Sequence, residues 1–162
     1  MYKYILFLSL VLSSFMSYSC GLHQNTGFNL ITEPGSLEVF QNVIDARRDN
    51  LLLNKGKPDQ FLLYTIKAKF DESQEDKLDF VLFEAVKGHY SDFKYTDNHM
   101  TVTGKNKMPE KDELMLITEL DVLDALASGV IDWEQATQHS LIKLVGPQNK
   151  KAMMNEWFSK LF

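Results

Sequence analysis

Cys20 is the only cysteine among 162 residues, and it stands directly behind a leader that takes no part in a fold. Met1 and Lys3 open that leader, residues 5–12 are apolar apart from Ser9, and Ser17-Tyr18-Ser19 run into Cys20-Gly21. An apolar core this short cannot span a bilayer as a retained helix; it has the layout of a secretory signal. Two constraints follow for the chain behind it. No internal disulfide can form, so stability comes from packing alone. Removing residues 1–19 leaves 143, enough for one domain with a substantial core. Without Lys3 the exported chain carries 16 basic against 22 acidic side chains, a balance of −6. That excludes the basic face nucleic acid requires and broad electrostatic adhesion to anionic lipid.

The Ser-Tyr-Ser-Cys-Gly junction resembles a bacterial lipoprotein signal, in which the cysteine becomes the acylated first residue of the mature protein. The resemblance implies lipidation at Cys20 with acyl chains such as palmitate, and a periplasm-facing place in the cell envelope. Gly21 rather than Asp behind the cysteine favours the outer membrane. Two or more acyl chains anchor stably, since each buried methylene contributes about 0.8 kcal/mol. The alternative is ordinary secretion, with cleavage after Ser17 or Ser19 and a free thiol at Cys20. The expected organisation is therefore a signal peptide at 1–19, a lipidated N-terminus and tether at 20–35, and one domain at 36–162. The tether is rich in Asn, Thr, Gly and Pro and has no hydrophobic period.

Within the domain, Ser36 is expected to cap a helix over 37–53, with Val39, Phe40, Val43, Ile44 and Leu51 at helical spacing and Arg47 on the same face. Gly56-Lys57-Pro58 stops it. Leu62, Tyr64, Ile66, Ala68 and Phe70 alternate with polar residues, which predicts a half-buried strand. Residues 71–77 then form a hairpin connection to an interior strand over 78–86, whose centre Phe80-Val81-Leu82-Phe83 is apolar on both faces. A third strand is expected at 93–96 or 99–103, a loop at 105–111 and a fourth strand at 113–118. Thr118 and Asp121 predict a capping box opening a helix to Ser128, stopped by Gly129. Asp132 with Gln135 predicts a second box before a helix at 133–138. Residues 141–145 alternate as a fifth strand, and Gly146-Pro147 opens a closing helix. The fold class expected is α+β, with a mainly antiparallel five-stranded sheet covered by helices.

The segment 113–157 carries a family pattern. A strand leads into Asp121-x-x-Asp124-x-Leu126-x-x-Gly129-x-x-Asp132-x-x-x-Ala136, followed by Leu141-Ile142-Lys143-Leu144-Val145-Gly146 and an apolar-faced helix. This resembles the C-terminal half of the sterol carrier protein type two family. The resemblance implies an apolar tunnel between sheet and helices that holds a lipid, fatty acid or isoprenoid, in a domain without catalytic residues of its own. Candidate wall residues are Phe80, Leu82, Phe83, Leu123, Leu126, Met153, Trp157 and Phe158. On that reading Trp157→Asp abolishes ligand retention while the sheet stays folded. The alternative is an envelope protein that binds no ligand, in which the same residues fill a core and the surface meets a partner.

Other chemistry has little support in the residues. Arg47 on an apolar face either meets an anionic headgroup at a cavity mouth or pairs with an acid. The acidic run Asp71, Glu72, Glu75, Asp76 lacks the glycine and closing glutamate of a calcium loop and reads as a solvated turn. His23, His89, His99 and His139 have no metal-ligand spacing. No glycine-flanked serine elbow occurs, and the lone cysteine belongs to the anchor, so no enzyme activity and no cofactor is expected. The expected partners are the membrane, through the anchor, and an apolar small molecule.

Overall fold

The computed structural model describes residues 32–54, 56–73, 77–97 and 99–162. The leader, Cys20 and the tether as far as residue 31 lie outside these. Helix α1 (Ser36–Arg48) buries Val39, Val43 and Ala46, one stripe at helical spacing. It ends five residues before Leu53, because the chain turns through Asn50 and Leu53, both in the left-handed region at φ 60° and 52°. Ser36 does not cap it. Gly35, at φ 87°, holds that position, and the Ser36 hydroxyl instead accepts the Glu33 N–H at 3.1 Å.

The expected strand over 62–70 is a helix, α2 (Asp59–Glu72). Leu62, Ile66 and Phe70 are its buried residues. A spacing of four satisfies both the strand period of two and, closely, the helix period of 3.6. Tyr64 and Ala68 separate the two. A strand would bury them with the others, whereas Tyr64 is 75% exposed and Ala68 is exposed. The expected hairpin over 71–77 falls with it, because residues 71–72 finish α2. Asp71 ties the end of α2 to the sheet by accepting the Met100 N–H at 2.7 Å.

Five strands follow: β1 (Phe80–Glu84), β2 (His89–Thr96), β3 (His99–Lys105), β4 (Met115–Thr118) and β5 (Lys143–Val145), in the order β3-β2-β1-β4-β5. Both segments proposed for a third strand are strands, paired as the β2–β3 hairpin. β1 is the interior strand expected, buried at all five positions. It pairs antiparallel with β2 and parallel with β4. The sheet is therefore mixed, correcting the expectation of a mainly antiparallel one. Hydrophobic alternation fixes which face a residue takes and says nothing of strand direction.

Helices cover both faces. The registers Phe80↔Phe93 and Leu82↔Leu116 place those four side chains on one face, while Phe83↔Tyr90 and Ile117↔Lys143 lie on the other. α1 sits on the second face. The Tyr90 hydroxyl donates to Glu33 just ahead of α1, and the Lys143 side chain lies so close over Gly35 that a Cβ there would meet its Nζ at 2.0 Å. On the first face lie α2, α3 (Leu120–Ala127), α4 (Trp133–Gln138) and α5 (Gln148–Leu161). α4 has the Asp132–Gln135 capping box that the sequence predicts, with bonds of 2.7 and 3.0 Å. The box expected at Thr118 is absent: Glu119 occupies the N-cap position of α3, and the Thr118 hydroxyl donates to the Leu141 carbonyl at 2.8 Å. Pro147 precedes α5 as its N-cap rather than entering the first turn. No described helix is long and apolar enough to cross a membrane.

Candidate functional site

Between the sheet and the helices the aromatic residues pack on one another. Phe80 stacks on Phe93 at 4.8 Å between ring centres and meets the edges of Phe70 and Phe158, each at 6.0 Å. Trp157 lies 5.5 Å from Phe70 and 4.9 Å from Phe158, and its indole N–H donates to Ser73 at 2.8 Å. These separations are those of a filled interior. The structure thus brings together Phe80, Trp157 and Phe158. Leu82, Leu123 and Leu126 are fully buried. Phe83 points to the other face of the sheet, against Tyr90 at 4.8 Å. Met153 is 45% exposed on the outer side of α5. Because Trp157 is buried in this packing, Trp157→Asp probes the core rather than a ligand.

A cleft of about 270 Å³ opens elsewhere, where the end of α1 and the turn behind it meet the start of α2 and the β4–α3 junction. Leu52, Leu53, Leu62 and Leu120 give it an apolar wall. Leu52, Leu62 and Leu120 are buried, whereas Leu53 is 73% exposed at the mouth, held there by its left-handed backbone. A bulky residue in that conformation is strained, and such strain concentrates at functional positions. A second opening, about 310 Å³ and bordered by Asp45, Asp49 and His139, contains no buried ionisable group.

Ion pairs line the first cleft. Arg47 donates to Asp121 at 2.6 Å and to Glu119 at 3.3 Å. Lys87 lies 2.7 Å from Asp59 and 2.8 Å from Glu84. Lys57 reaches Asp124 at 2.9 Å, and the Asn54 amide joins the same carboxylate at 3.0 Å while also donating to the Asp121 carbonyl. Of the two fates open to Arg47, pairing with acids is the one realised. Burial works against its charge, yet the bonds and charges of Asp121 and Glu119 outweigh burial and hold its pKa above the ordinary value. Lys87 is held up in the same way by Asp59 and Glu84.

In two carboxyl groups burial prevails over the partners. Burial raises Glu84, more than Lys87 can offset. Burial also pushes Glu119 up to about 7; the Val86 N–H bond at 2.6 Å and Arg47 oppose this, and the neighbouring Glu84 adds to it. Burial thus makes the Glu119 carboxyl in the cleft wall hold its proton more tightly than an ordinary glutamate. Among the described residues no group of three or more His, Cys, Asp or Glu is arranged to hold a metal ion.

Sequence reasoning singled out Arg47 and missed Glu119, Glu84, Lys87, Asn54 and Leu53. One signal was present. Residues 114–126 are apolar except for Thr118, Glu119, Asp121 and Asp124, and acids within such a run must find partners when it is buried.

No family model matches the chain, and no curated protein matches it. Two solved structures are similar. Sterol carrier protein 2 like 2 from Aedes aegypti is 14% identical with a TM-score of 0.43, over 60% of this chain and 93% of that one. Sterol carrier protein 2 from Yarrowia lipolytica, in its apo form, is 21% identical with a TM-score of 0.34, over 77% of this chain and 99% of that one.

Proposed function

We propose that this protein is an envelope lipoprotein, anchored through acylated Cys20 in the outer membrane, whose domain binds an apolar ligand. It acts by binding rather than by catalysis. The ligand is a lipid, fatty acid or isoprenoid, and its chain lies in the cleft along Leu52, Leu53, Leu62 and Leu120, not within the aromatic interior. The observation that carries this reading is the cleft itself: an apolar wall beside half-buried ion pairs, with a strained, exposed leucine at its mouth. Few polar groups placed at the end of an apolar recess are what a site for an amphipathic molecule requires.

The full chain, purified from an envelope fraction in mild detergent, tests both halves. Its intact mass reports acylation, which Cys20→Ser removes. Native mass spectrometry and solvent extraction report the ligand. A bound species of a few hundred daltons, lost in Leu53→Asp while the melting temperature holds, supports the cleft. A ligand-free mass and no uptake of fatty acid or isoprenoid would sink it. The packing of Phe70, Phe80, Phe93, Trp157 and Phe158 would then favour the second reading, an envelope interaction protein with a filled core.

A further inference from the structure

We propose that the cleft receives an ammonium group: its ligand is a long-chain amine or an aminolipid, with the nitrogen at Asp121 and Glu119 and the chain along the leucine wall. This inference rests on the cleft being the ligand site and adds the chemistry of the ligand's polar end.

Among the described residues the cluster around the cleft holds three cations, Arg47, Lys57 and Lys87, and five carboxylates, Asp59, Glu84, Glu119, Asp121 and Asp124. Every cation is engaged: Arg47 and Lys87 each serve two carboxylates, and Lys57 serves Asp124. Among the described residues an anionic headgroup would find no cation that is not already engaged, and it would add to an existing excess of carboxylates. A positive group reduces that excess.

Hydrogen bonding points the same way. Oδ1 of Asp121 and Oδ1 of Asp124 are buried, and neither receives a hydrogen bond. Such acceptors are costly to leave without donors. Asp121 lines the cleft, and the other oxygen of the fully buried Asp124 is held by Lys57 and Asn54, both of which also line it. An ammonium supplies three N–H donors and one positive charge; a hydroxyl supplies one donor and no charge, and a carboxylate supplies neither. The N–H groups at the start of α3 offset part of the negative charge but do not reach these two oxygens.

Glu119 gives the binding a pH signature. It faces Arg47 of α1, Glu84 of β1, Asp121 of α3 and the Val86 N–H, with Lys87 and Asp59 of α2 beyond Glu84. An ammonium bound beside it favours its ionised form, so the amine binds more tightly as pH rises from 6 to 8 and displaces a proton on binding.

The test uses the full chain stripped of bound lipid, with decylamine, decanol and decanoate followed by titration calorimetry. At pH 8 decylamine should bind at least ten-fold more tightly than decanol, and decanoate more weakly than either. Asp121→Asn should cut the preference for decylamine over decanol at least five-fold. Asp59→Asn, at an exposed position, should cut it by a smaller factor without endangering the fold. A short-chain phosphatidylethanolamine distinguishes an aminolipid from a free amine, and tight binding of either supports the proposal. Decanol binding with no preference for decylamine, or decanoate binding as well as decylamine, overturns the ammonium inference alone. No binding of any of the three overturns the cleft as well.

Discussion

Glu119→Gln isolates one titration within the fold. The Glu119 carboxyl is almost wholly buried, and its pKa rises from an ordinary 4.5 to about 7. Because the folded state holds this proton more tightly than the unfolded chain, the group favours folding below pH 4.5. That contribution is lost as pH rises through about 7. At about 1.4 kcal/mol per pH unit, the separation is worth about 3 kcal/mol between pH 4 and pH 8. Glutamine keeps an oxygen for the Val86 N–H and removes the titration. Urea unfolding of wild type and Glu119→Gln at half-unit steps of pH gives the difference for Glu119 together with its coupled neighbour Glu84, since groups remote from them titrate alike in both. The wild type should lose about 3 kcal/mol relative to the variant across that range, mostly between pH 5 and 7. A stability difference that stays constant within about 1 kcal/mol would refute the reasoning, because it would mean that Glu119 titrates as it does in the unfolded chain.

Four further substitutions probe the frame. Leu53→Gly relieves a left-handed leucine at φ 52°, worth about 1 kcal/mol, so the melting temperature should rise by about 3 °C while ligand retention falls. Trp157→Ala removes a ring packed at 4.9 Å on Phe158 together with a buried hydrogen bond, and should cost about 3–5 kcal/mol in denaturant unfolding. Met153→Asp, on the outer side of the same helix, should change stability by less than about 0.5 kcal/mol. Gly146→Ala would bring a Cβ to 2.7 Å from the Glu113 carbonyl at a φ of 131°. It should cost about 2 kcal/mol or more, visible as a lowered denaturation midpoint, because the obstruction is backbone and cannot swing aside.

Local chemistry accounts for what could be read before the structure. The helical spacing of Val39, Phe40, Val43 and Ile44 specifies α1, the continuous run Phe80 to Phe83 specifies an interior strand, and Asp132 with Gln135 specifies the start of α4. Each depends on residues a few positions apart and on a single backbone period. The segment 62–70 was misread because its buried residues fall four apart, where the two periods coincide, and only packing shows that Tyr64 points to water. Thr118 was misread as a cap because it still belongs to β4, where its hydroxyl donates to the Leu141 carbonyl 23 residues away, and Glu119 takes the N-cap position.

The cleft belongs to the other category. Arg47 and its acids are separated by 72 and 74 residues, and Asn54 and Asp124 by 70. Whether an arginine on an apolar stripe meets a ligand or a carboxylate depends on where α1 ends relative to the β4–α3 junction. Likewise the proton affinity of Glu119 comes from burial, which no spacing encodes. The sequence by itself determined most of the elements, because periodicity and capping act within a turn or two. The tertiary structure alone decided strand direction, the filling of the aromatic interior and the charge balance of the cleft, because these arise only when distant segments exclude water together.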